Sequence, residues 1–147
     1  MENLRNIVKN HLSRGIVLMD LVHHSSSDSI KVTIDSPSNI SVGETSTLAK
    51  RIKNDDSILS MFPNGCRVEV TTPGIGSDLV ERFQYDKNIG RKIMLEYYDD
   101  DHESSTISNI FLIVDVEDKG IIVSRNEKKH LIMFKDIISA KIKVSFD

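Results

Sequence analysis

The chain is poor in the residues that staple or stack. It has one cysteine, Cys66, no tryptophan and three prolines in 147 residues. A single cysteine excludes an intrachain disulfide and a multi-cysteine zinc site, and this usage predicts the reducing cytoplasm as the compartment. Aromatic residues are 5 % of the chain, too few for the stacking platform that general single-strand binders use. Tyr97-Tyr98 is the one adjacent aromatic pair, and one of the two is expected to face a core. No apolar run approaches the ~20 residues needed to span a bilayer. Met1-Glu2-Asn3-Leu4 shows no basic region followed by an apolar stretch, so no secretory leader is expected. An excess of positive charge is also missing. The net charge is −3, which argues against holding nucleic acid by bulk charge alone but leaves room for a local basic patch.

What is present is an ordinary globular balance, 39 % hydrophobic and 28 % charged, with no internal repeat and no low-complexity segment. Charge divides unevenly. Residues 1–74 carry eight Lys/Arg and eight Asp/Glu, whereas residues 75–147 carry eleven and fourteen.

The first half reads as helix, strand, strand, helix, strand. Leu4, Ile7, Val8 and Leu12 recur at helical spacing, and Gly15 follows as a stop signal. Ile16 to Val22 is an almost continuous apolar run of strand length. Beyond the polar stretch 23–29, Ile30, Val32 and Ile34 alternate with Lys31, Thr33 and Asp35, which predicts a strand with one buried face. A hairpin joins the two. Asp35-Ser36-Pro37-Ser38-Asn39 is a loop by composition. Ser41 and Glu44 fit a capping box, and the helix behind it presents Leu48, Ala49, Ile52 and Leu59 on one side. Pro63-Asn64-Gly65 ends that helix, and Cys66, Val68 and Val70 alternate in a third strand. Packing two helices on one sheet face gives an α+β class with an N-terminal α/β sandwich.

Thr72, Pro73, Gly74 and Gly76 break all periodicity, which places a domain boundary and a hinge there. The expected division is 1–74 and 75–147, with a linker at 73–88 that holds Leu79, Phe83 and Tyr85 in a helical turn. The second half reads as strands. Ile93, Leu95 and Tyr97 alternate. Asp99 to Ser105 is a polar loop. Ile107 to Val116 is a long strand, apolar on both faces in its middle. Asp118-Lys119-Gly120 is a tight turn before Ile121 to Val123. Glu127-Lys128-Lys129 turns the chain again before Leu131 to Phe134. Residues 135–138 form one helical turn, and Ile142, Val144 and Phe146 make the last strand. Five short strands at this spacing predict a small β-barrel of SH3 or Sm type, which removes exposed edges.

Few residues point to chemistry. His23 and His24 are neighbours on a strand and face opposite ways, so they cannot share one metal; a solvated strand end is expected. Asp99, Asp100, Asp101 and Glu103 lack calcium-loop spacing and its glycine, and read as a solvated hairpin tip. Cys66 would need His11, His102 or His130 to act as a nucleophile, but alternation points it inward, as a core residue. No Gly-rich phosphate loop, Gly-x-Ser-x-Gly or His-Glu-x-x-His sequence is present. The useful candidates are basic. Lys50, Arg51 and Lys53 lie on the second helix, Lys87, Arg91 and Lys92 at the barrel entrance, and Arg125, Lys128 and Lys129 at a barrel turn. Each cluster suits phosphate contacts that add affinity without reading sequence.

Arg67-Val68-Glu69-Val70-Thr71-Thr72-Pro73-Gly74-Ile75 resembles the signature of the ribosome maturation factor RimP family. Gly15-Ile16-Val17-Leu18, Ile34-Asp35-Ser36-Pro37, Ile40-Ser41-Val42, Lys87 to Ile93, Phe134 to Ile137 and Ala140-Lys141 resemble other stretches of that family in order and spacing. Two departures stand out. Gly76-Ser77-Asp78-Leu79 replaces the Asp-Arg-Pro-Leu of many members, and Asn109 stands in Ile107-Ser108-Asn109-Ile110 where a glycine is usual. The resemblance implies an α/β domain joined to an Sm-like barrel, binding to the immature small ribosomal subunit, no catalysis and no cofactor. The implied partners are ribosomal RNA and a basic small-subunit ribosomal protein, to which a mildly acidic monomer is complementary. The competing reading is a stand-alone Sm-like module for single-stranded RNA, against which the net charge, the few aromatics and the attached α/β domain all argue.

Overall fold

The period-two pattern of residues 30–34 becomes a strand with one dry face. Ile30, Val32 and Ile34 are 1 %, 0 % and 1 % exposed, while Lys31 between them is open to solvent. The computed structural model describes residues 2–74, 76–99 and 102–144. The class is α+β, with four helices and two sheets of three and five strands among those residues. The chain divides into two units, Met1–Pro73 and Gly74–Asp147. No helix among the described residues is long and apolar enough to cross a membrane.

The first unit holds α1 (Glu2–Asn10), β1 (Val17–His24), β2 (Ser29–Asp35), α2 (Val42–Lys53), α3 (Asp56–Met61) and β3 (Arg67–Thr71). Strand order is β1-β2-β3. β1 and β2 form an antiparallel hairpin, whereas β3 runs parallel to β2. A parallel neighbour needs a crossover connection, and α2 with α3 supplies it. Leu4 and Val8 of α1, Leu48 and Ile52 of α2 and Ile58 of α3 join the apolar faces of the strands in one core. The serine half of the expected capping box forms, with the Glu44 N–H donating to Ser41 Oγ at 3.1 Å.

The expected single helix over 42–59 is in fact two. Asn54 ends α2, and the Asp55 side chain accepts from Ser57 N at 2.8 Å, capping a fresh helix. The restart changes the helical phase, so Ile58 enters the core at 1 % exposure and Leu59, expected inside, is 52 % exposed. Asp55 also receives His11 Nε2 at 2.6 Å, which ties the chain after α1 to the α2–α3 junction. The His11 hydrogen bond, followed by that from Ser57, holds the Asp55 carboxyl below the usual carboxylate range.

The second unit holds α4 (Arg82–Asp86), β4 (Lys92–Asp99), β5 (His102–Val116), β6 (Gly120–Arg125), β7 (Lys128–Met133), a single 3₁₀ turn (Phe134–Asp136) and β8 (Ile137–Ile142). The order is β7-β6-β5-β4-β8. Ile93, Leu95, Phe111, Ile113, Ile121 and Val123 form its core with Tyr85 of α4. Burial, and then the charge of Asp78, push the Tyr85 hydroxyl up to about 12. Gln84 is also buried. Its Oε1 accepts from Val80 N at 2.7 Å and Glu81 N at 3.0 Å, so it closes the loop ahead of α4. Gly120 opens β6 where an added Cβ would lie against the Ile132 carbonyl and 2.9 Å from Met133 Cα, so only glycine fits.

Several expected boundaries shift. Asp99 ends β4 and 102–105 already belong to β5, so the described part of the expected polar loop is strand; Asp100 and Asp101 lie outside the described residues. The helical turn is shorter than expected, and β8 begins at Ile137, well before Ile142. Phe146 lies outside the described residues. The turn after β6 is Asn126-Glu127, with φ of 52° and 66°. Those angles are the left-handed pair that a two-residue hairpin needs. Lys128 and Lys129 therefore stand in β7, not in the turn. β7 and β8 sit at opposite ends of the strand order, and no ladder joins them among the described residues. The chain passes through the single 3₁₀ turn to the far side of β4, where β8 pairs.

Ile58→Ala will destabilise the protein by about 2–5 kcal/mol, as core truncations do. Leu59→Ala will stay within about 0.5 kcal/mol. Urea denaturation of both variants checks the helix break. For Asp55, the folded pKa lies below the unfolded value of about 3.9. The contribution of its carboxylate is then complete above about pH 4 and lost as pH falls through the lowered value. The stability gap between wild type and Asp55→Asn should close on acidification in that window, which denaturation at a series of pH values measures.

Candidate nucleic-acid interface

All nine sequence-selected basic residues are exposed, but they do not form three equal clusters. Lys50, Arg51 and Lys53 fill the last turn of α2, where cations also complement the negative end of the helix dipole. At 100° per residue, Lys50 and Lys53 share a side while Arg51 turns away from Lys53. Arg51 instead lines a groove with Arg14, a residue that no motif singled out. Lys87 caps α4, and its backbone N–H donates to Phe83 O at 3.0 Å. Arg91 Nη1 donates to Asn88 Oδ1 at 3.3 Å, and Lys92 opens β4 opposite Leu112. Arg125 and Lys128 face one another across the β6–β7 turn, whereas Lys129 pairs with Ser124 and points to the other side of the strand.

Arg125 is already engaged. Its Nη1 donates to Asn109 Oδ1 at 2.7 Å, and Asn109 Nδ2 donates to Tyr97 OH at 3.0 Å. Asn109 thus bridges three strands through its side chain. Its backbone is not among the described residues with positive φ. Tyr97 is half-buried, with its ring 6.0 Å from that of Phe111, and Tyr98 is 41 % exposed. This leaves one tyrosine packed inward and one outward.

The segment after Pro73-Gly74 also has a defined role. Asp78 Oδ1 accepts from Ser139 Oγ at 2.7 Å and from Ala140 N at 3.3 Å, and Leu79 N donates to Ala140 O at 2.7 Å. Residues 78–79 therefore lie along the outer edge of β8, bridging at Lys141. Thr72 and Pro73 lie in the first unit, and Gly74 and Gly76 in the second. Gly76 takes φ of 91°, which favours glycine.

Cys66 is buried in the first core, and that burial, then the charge of Asp28, push its thiol up and away from the reactive thiolate. His24 is exposed, but His23 is not the solvated residue expected. Its ring meets Phe62 edge-on at 5.2 Å, and its Nε2 is buried with no hydrogen-bond partner. Among the described residues no group of three His, Cys, Asp or Glu side chains is placed to hold a metal.

An apolar patch completes the surface. Met94 and Ile110 are direct partners in the β4–β5 ladder, and Leu112 follows Ile110 on the same face. The three are 46 %, 38 % and 41 % exposed. The signal was the stretch within 107–116 that is apolar on both faces, of which one face is not needed for the core.

No family model matches the chain. It is 26 % identical over 131 residues to the ribosome maturation factor RimP of Christiangramia forsetii, which covers 83 % of this chain and 82 % of that protein. It is 26 % identical over 107 residues to the ribosome maturation factor RimP of Prosthecochloris aestuarii, which covers 69 % of this chain and 60 % of that protein.

Proposed function

We propose that this chain is a ribosome maturation factor that binds the immature small ribosomal subunit and assists its assembly without catalysing a reaction. The observation that carries this reading is the similarity to two proteins named for ribosome maturation, continuous over most of the chain in one of them. The strand order of the second unit supports it: five strands with the last beside the first, and a single 3₁₀ turn before the last. We read that sheet as an Sm-like barrel and the two units as two domains, with Thr72, Pro73, Gly74 and Gly76 as the hinge. The buried thiol of Cys66 and the dispersed histidines favour a binding protein over an enzyme.

In this reading the partners are ribosomal RNA and a basic small-subunit ribosomal protein. The acidic excess of residues 75–147 and the patch of Met94, Ile110 and Leu112 suit the protein partner. Lys50, Lys53, Lys92, Lys128 and Lys129, exposed and outside any ion pair among the described residues, suit phosphate. The protein works as a cytoplasmic monomer with no cofactor.

Sedimentation with separated small subunits, large subunits and whole ribosomes tests the proposal. The expected result is binding to free small subunits alone that survives moderate salt, because protein contacts persist where phosphate attraction is screened. Equal binding to all particles that disappears with salt would overturn it.

A further inference from the structure

A groove of about 640 Å³ runs along α2 in the first unit. One wall is a single helix face: Gly43, Thr47 and Arg51 follow one another at i, i+4 spacing, about 12 Å from end to end. Arg14, from the chain after α1, and Ser38, from the loop after β2, also line it. Ile16, Ile34 and Leu48 give the groove an apolar floor.

The charges are arranged for an anion. Arg14 and Arg51 come from different elements, both are exposed, and neither forms an ion pair among the described residues. The one carboxylate in the lining is Glu44, while His11 is tied up by Asp55. Two guanidinium groups outside any ion pair among the described residues, in a groove that also has apolar lining, match a ligand with spaced negative charges and flat apolar groups between them. A nucleic-acid duplex offers its phosphates and sugars to such a groove, but its base faces are stacked inside. An acidic peptide can carry both charges and apolar side chains, but not at the fixed backbone repeat of a phosphodiester strand. A single strand has both, and the exposed hydroxyls of Ser38 and Thr47 add partners for a ribose 2′-OH.

We propose that this groove binds a single-stranded RNA segment, with Arg14 and Arg51 taking phosphates and the Ile16–Leu48 floor taking a sugar or base. This deepens the assembly-factor reading, since the RNA of an immature subunit is the strand it would hold. The groove is lined by no Phe, Tyr or Trp, so binding is modest and depends on salt.

The test uses the full chain and a labelled single-stranded RNA of about 12 nucleotides, within the range such sites hold. Arg14→Ala/Arg51→Ala should weaken binding at least about tenfold, given the strength of charge-assisted contacts. It should also flatten the slope of log affinity against log salt by about 1.4, or about 0.7 for each lost phosphate. Glu44→Gln should tighten binding, an effect that a merely structural role would not produce. Backbone amide shifts on adding RNA should centre on Gly43, Thr47 and Arg51. Unchanged affinity and slope in the double variant would overturn the proposal, as would shifts confined to the second unit. Equal binding of a duplex of the same sequence, or equal displacement by polyglutamate, would do the same. Sedimentation of the double variant separates this inference from the wider one. If wild type and variant bind small subunits alike, the groove assignment falls and the assembly role stands; if wild type does not bind them, the assembly role falls.

Discussion

The first unit depends on burying one face of its central strand. Ile30, Val32 and Ile34 are shut off from water, and each fully buried branched side chain contributes about 1.5–3 kcal/mol. That face sets where everything else goes. β1 must pair on one side and β3 on the other. Because β3 runs parallel, the chain has to cross over, and the crossover brings Leu48, Ile52 and Ile58 down onto the same face. The second unit obeys the same constraint with a different topology. Ile93 and Leu95 of β4 lie between β5 and β8, so the strand that starts that sheet also receives its end.

The polar interactions refine this arrangement. His11 and Asp55 hold the chain after α1 against the junction of α2 and α3. Asp78 covers the outer edge of β8, and Gln84 closes the loop before α4. Covering β8 leaves β7 as the edge strand of that sheet, and Lys128 and Lys129 on it discourage pairing with another chain. Arg125 is different: its bond to Asn109 spends it on holding β5 and β6 together.

The strands were legible because alternation is a local signal. Residues 30–34, 93–97 and 121–123 all read directly as strands, and the Asp118–Gly120 turn followed from composition. The break between α2 and α3 was less visible. Asn54-Asp55 sits inside a pattern that continues helically on both sides, and only the capping bond from Ser57 N to Asp55 shows that the helix restarts. The start of β8 was hidden for a related reason. Ile137 and Ile138 are equally at home in a helical turn, and pairing with β4 decides for strand. His23 was read as solvated from its polar neighbours, whereas the ring of Phe62, far off in sequence, covers it.

The sequence by itself determined that the chain is α+β, where most of its strands lie, that Cys66 is a core residue, and that basic residues are exposed on α2 and in the second half. These follow from periodicity and composition, which act over a few residues. Only the tertiary structure decided which cations stand together. Arg14 and Arg51 line one groove because α1, β2 and α2 share one core, and Lys129 parts from Arg125 because neighbouring residues on a strand face opposite ways. It alone showed that Asp78 lies along an outer strand edge. Such pairings depend on segments distant in sequence that meet only once their apolar faces are buried, and no local pattern encodes them.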